Sequence, residues 1–284
     1  MKKRLFAAFV ILCMIVSILP TAAFAIDAWP TDTDEIVVTT NGELDLSSLG
    51  EGPSSPITIV VKGNNATIIG NPNATFENVN VRFEFGTRYS KYTSAITVSI
   101  KDLNLGGQFS LKQYTEPSGV TINYSGACFF AGGFGTSSSA GYNAPIIYKA
   151  ADENATLSLT GQQQYYNDVT FEGGTVDAVA VWVSDGGSDE NSHDIAINDC
   201  ELTFHDLVNN GLKASGDISI SNSTVSAVHP DKIYSNSASG ITAGGNINIT
   251  SSNVTATGVV TSDGSASNGM DASPAIKSLQ IKSQ

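Results

Sequence analysis

The chain has 284 residues, of which 41% are hydrophobic and only 14% charged, with 27 glycines and a formal net charge of −13. So acidic a balance argues against nucleic acid and anionic membrane as partners. The length suits a single large core and demands no second domain.

Lys2, Lys3 and Arg4 precede an apolar run from Leu5 to Leu19, and Ala23-Phe24-Ala25 is a cleavage triplet of the A-x-A kind. Residues 1–25 are therefore expected to be an export signal. The run is short for a membrane span, Pro20 breaks it, and no later stretch is apolar enough to cross a bilayer. Loss of three positive residues with the signal takes the net charge from −13 to −16. A secreted or cell-surface protein is the expectation.

Residues 26–35 read as a polar lead-in, and residues 36–284 as one domain. Ile36 to Val38, Leu44 and Leu46, Ile57 to Val61 and Ala66 to Gly70 are the first strand candidates. Phe76, Val79 and Val81 follow, then Val98, Ile100, Leu103 and Leu105, then Val120 and Ile122. Taken as successive markers, Phe76, Ile100 and Ile122 lie 24 and 22 residues apart. Residues 126–149 interrupt the pattern with Phe129, Phe130, Phe134, Tyr142 and Tyr148, and Gln162 to Tyr166 is a second polar-aromatic stretch. Val169, Phe171, Gly174, Val176 and Ala178 then match Ile195, Ile197, Cys200, Leu202 and Phe204 position for position. Between them, near 184–193, lies an acidic loop.

The pattern is sharpest at 211–258. Slid by 29 positions, Gly211–Ala227 and Gly240–Ala256 are identical at 8 of 17 residues, among them Ile218/Ile247, Ile220/Ile249 and Val225/Val254. Such a period in a Ser/Thr/Asn/Gly background marks a solenoid. Apolar residues two apart share one face of a strand, whereas helical repeats would space them three and four apart. The step from Ile220 to Val225 holds a bend at Asn222 and Ser223. Each copy thus reads as three short strands with two bends. One copy cannot bury its apolar face alone, but stacked copies make a continuous core. The expected fold is all-β, a right-handed parallel β-helix of roughly ten turns, about 4.8 Å per turn. At the carboxyl end, Leu279 and Ile281 stand where Ile247 and Ile249 stood, and no partner strand for Val254–Ala256 follows. A truncated helix, or a further domain or chain over that end, is expected.

Cys13 leaves with the signal. Cys128 and Cys200 lie about three turns apart, roughly 15 Å, beyond disulfide reach, so two free thiols are expected.

The repeat Gly-(Leu/Ile)-x-Ala-x-Gly-(Asp/Asn)-Ile-x-Ile resembles the repeats of bacterial secreted β-helix proteins of the carbohydrate-binding, cell-surface kind. The likeness is best over residues 169–258. Some members of that group resemble pectate lyases and bind acidic plant polysaccharide with calcium, so the resemblance implies a polysaccharide or host-surface glycan as partner. In the relatives an Asp-Asp pair often precedes the first Gly. Here Asn209-Asn210 and Ala238-Ser239 occupy those places, which argues against calcium along that face.

The candidate chemistry is sparse. The clustered carboxylates of a polysaccharide hydrolase are not recognisable. Arg88, Tyr89, Lys91 and Tyr92 read either as a basic-aromatic sugar site or as a solvated loop. Asp185, Asp189 and Glu190 are candidates for calcium, with a plain charged turn as the alternative. His205 and His229 follow equivalent strands, but zinc wants three or four ligands. Aromatic rings stack on sugar faces while their polar edges stay wet, which makes Tyr142, Tyr148, Tyr165, Tyr166 and Trp182 the glycan-binding candidates, against a local cluster packed over the rod. Three functions follow: non-enzymatic glycan adhesion, a polysaccharide lyase or hydrolase, and a stalk of a larger surface protein.

Overall fold

The computed structural model describes residues 24–87, 90–91, 93–111, 118–132, 134–135, 144–184, 192–205, 210–229, 233–234, 238–258, 260–261, 268–272 and 276–279. Among these there is no helix, and almost every strand pairing is parallel. The chain winds as a three-sided β-solenoid. Face one is an eleven-stranded ladder running from Phe24–Ala25 through Ile96–Lys101, Val120–Ser125, Val169–Glu172, Ile195–Asn198 and Ile218–Ser221 to Ile276–Leu279. Faces two and three belong to one fifteen-stranded sheet, because Thr156–Tyr165 and Thr175–Val183 run through both.

The two sequence repeats stack as their alignment requires. Leu212 pairs with Ile241, Ile218 with Ile247 and Val225 with Val254, each 29 residues on. Within the first copy the three strands are Leu212–Ala214, Ile218–Ser221 and Thr224–Ala227, and their alternate apolar residues are buried. The match of Val169, Phe171, Val176 and Ala178 to Ile195, Ile197, Leu202 and Phe204 is also a set of paired neighbours. Each buried Ile, Val or Leu contributes about 1.5–3 kcal/mol, and the contributions run without a gap along the axis.

The corners have their own logic. After six of the face-one strands the chain turns through a left-handed residue: Asp102 (φ 49°), Gly126 (63°), Gly173 (71°), Asp199 (52°), Asn222 (49°) and Ser251 (51°). Asn, Asp and Gly adopt this conformation at least cost. Beside that corner, the N–H of Cys200 donates to Ser223 Oγ, and the N–H of Ser223 to Ser252 Oγ, both at 3.1 Å. Cys200 therefore stands in a ladder of small side chains. It and Cys128 are free and buried.

Four expectations change. About seven turns are complete, from Ile96 to Ala272, rather than ten. Among the described residues, the turns before them show no regular face-two strand, and the bridge Phe76–Leu105 stands in its place. Second, Phe76 belongs to face two, and Ile122 pairs with Val98 while Tyr124 pairs with Ile100. A slip of two residues keeps every side chain on its face, so periodicity alone does not fix the register. Third, Ile276 and Leu279, with an irregularity between them, take the places opposite Ile247 and Ile249. Fourth, the interruption at 126–149 contains ladder strands, Ala127–Phe130 and Ile146–Ala150.

The lead-in is a plug. Ile26 is 9% exposed, and its N–H donates to the Asp45 carbonyl at 3.2 Å. Trp29 Nε1 donates to the Glu51 carbonyl at 2.7 Å, and its ring meets Phe76 edge-on at 5.4 Å.

Candidate functional site

The outward residues of face three form a row, one per turn. Gln164 pairs with Trp182, Trp182 with Lys213, Lys213 with Thr242 and Thr242 with Asp271. Alternation puts them outside: Val181, Val183, Leu212 and Ala214 on either side of them are buried in the lumen. Five rungs at the strand spacing make a ledge on the order of 19 Å long.

Trp182 is half-buried and fixed. Its Nε1 donates to the Asn210 carbonyl at 2.7 Å, which ties the indole to the neighbouring turn. Lys213 Nζ lies 5.7 Å from the ring centroid, an exposed cation–π contact of about 0.5–1 kcal/mol. Lys213 makes no ion pair among the described residues. On the other side of Trp182, Gln164 Nε2 donates to Tyr166 Oη at 2.9 Å. An aromatic plate, a phenol, an amide, an ammonium and a hydroxyl thus stand side by side. That set can stack on an apolar ring face and bond to hydroxyls around it.

The sequence candidates divide. Tyr166 and Trp182 are brought together on the ledge. Tyr148 and Tyr165 are not sugar platforms: they are 2% and 1% exposed, inside the solenoid. Their hydroxyls meet at 2.9 Å, and the Tyr148 ring stacks on Phe171 at 5.3 Å. Burial pushes both phenols well above their ordinary pKa. Register explains the error, since Tyr148 pairs with Ile122 and Phe171, and Tyr165 with Val183, all inward positions. Tyr142, Asp185, Asp189 and Glu190, the last three proposed for calcium, lie outside the described residues. Among the described residues no group of three or more His, Cys, Asp or Glu could hold a metal.

Gln164 and Lys213 were missed. Lys213 hides in the repeat as the counterpart of Thr242, and only its register against Trp182 gives it meaning. The histidines have separate partners: His193 Nδ1 is 3.6 Å from Asp168, His205 Nδ1 is 2.7 Å from Asp177, and His229 Nδ1 is 2.7 Å from the Thr257 carbonyl. Two clefts, about 630 and 670 Å³, open at the amino-terminal mouth around Ile36 and Trp29, away from the ledge.

These features define a class, a three-sided parallel β-solenoid with an aromatic ledge on its side. In comparisons with known proteins, no family model, curated protein or solved structure matches the chain.

Proposed function

We propose that this is an exported, non-enzymatic β-solenoid that holds glycan on the Gln164–Asp271 ledge. The observation that carries the reading is Trp182, a half-buried ring fixed by its bond to the Asn210 carbonyl with hydrogen-bonding groups on the rungs either side. A pyranose ring offers a C–H face to the indole and hydroxyls to Gln164, Tyr166 and Thr242. The Ala23-Phe24-Ala25 triplet supports export.

The test is a glycan array followed by titration calorimetry on the best ligand. Trp182→Ala is expected to weaken binding about tenfold or more, the scale of losing one stacked aromatic anchor. Circular dichroism should be unchanged, because the side chain points out of the core. Equal affinity in the variant, or no glycan bound by the wild type, sinks the reading.

A further inference from the structure

The cleavage triplet and the amino-terminal plug meet at one peptide bond, Ala25–Ile26. On its amino side Phe24 is 62% exposed, and Ala25 is exposed too. On its carboxyl side Ile26 and Trp29 are held. The Ile26 side chain is buried, its N–H donates to the Asp45 carbonyl at 3.2 Å, and its carbonyl accepts from Ser48 Oγ at 2.9 Å. Three residues on, Trp29 is tied to Glu51 and packed on Phe76. Phe24 and Ala25 are themselves paired with Leu44 and Asp45.

A peptidase must take an extended segment into its own cleft, pairing with the backbone and seating side chains from both sides of the bond. In the folded chain Phe24 and Ala25 are held against Leu44 and Asp45 along one edge, both backbone groups of Ile26 are bonded, and the side chain after the bond is inside the core. We propose that Ala25–Ile26 is the processing site and that folding of the first turn seals it, so leader removal acts only on chain that has not yet folded. The proposal rests on the export reading above, and implies passage across the membrane in the unfolded state.

The chemistry is hydrolysis. Water adds across the Ala25–Ile26 amide, leaving a carboxylate on Ala25 and an ammonium on Ile26. The new ammonium keeps a proton to donate to the Asp45 carbonyl, so the plug survives the cut. Only two exposed residues leave the ladder.

The test uses the full-length chain in mild detergent with a purified signal peptidase, read by intact mass. The comparison is a variant whose amino-terminal turns are unfolded by core charges, Val81→Asp with Ile100→Asp, which has the same residues around the bond. The unfolded variant should yield a product beginning at Ile26, and the folded chain should be cut at least about 100-fold more slowly, since it must open first. Trp29→Ala with Ser48→Ala, which loosens the plug, should speed cleavage of the folded chain. Equal rates for folded and unfolded chains overturn the sealing but leave export standing. No cut at Ala25–Ile26 in either chain overturns the processing site and the export reading together.

Discussion

Tyr148 and Tyr165 show what a polar atom costs inside a solenoid. Each hydroxyl is taken from water and repaid by the other at 2.9 Å. Tyr165→Phe leaves the buried Tyr148 hydroxyl without that partner, and is expected to destabilise by about 1–3 kcal/mol. The double variant with Tyr148→Phe should recover part of the loss, and a double-mutant cycle from urea melts measures the coupling. The thiols give a pH test. Burial pushes Cys128 up to about 11 and Cys200 up to about 12, from an ordinary 9.0. Raised folded values mean that the unfolded chain loses these protons first. Their contribution to stability is full below about pH 9 and falls as pH rises toward 11–12. Urea melts at pH 8 and pH 10 should show the drop, and Cys128→Ala with Cys200→Ser should flatten it.

At the scale of elements, a turn is a unit that touches only its neighbours. Leu212 stacks on Ile241 and Ile218 on Ile247, so residues 212–240 form one whole period. Excising them is expected to leave a cooperative, parallel-stranded solenoid one turn shorter, judged by circular dichroism and a single melting transition. The shortened chain would carry Thr242 beside Trp182 in place of Lys213. Loss of folding would show that the turns are not interchangeable. The 29-residue slide made this legible in sequence, because Gly211, Ile218, Ile220 and Val225 all recur in step. Elsewhere the loops vary in length and the residues vary in kind. Phe76 and Ile122 then fitted a wrong register as well as the right one, since alternation distinguishes inside from outside but not one rung position from the next on the same face. The Gln162–Tyr166 stretch stands out in sequence only as polar and aromatic. It is strand, with Gln163 and Tyr165 inside and Gln164 facing out. The ledge was half legible: Trp182 and Tyr166 stood out by type, whereas Gln164 and Lys213 acquire a role only once the turns are laid over one another.

Over the whole molecule, the solenoid is not equally strong along its length. Most turns change face through a break in the strand, so a turn can peel from its neighbour one side at a time. Thr156–Tyr165 and Thr175–Val183 instead carry the ladder around the corner between faces two and three, paired with each other at both ends of the bend. A crack travelling inward from either end meets at these rungs two sides that must give way at once. Unravelling should stall there, mid-rod. Gln164 and Trp182 ride on those two strands, which makes the ledge's aromatic centre the part of the rod that would hold its shape longest under load.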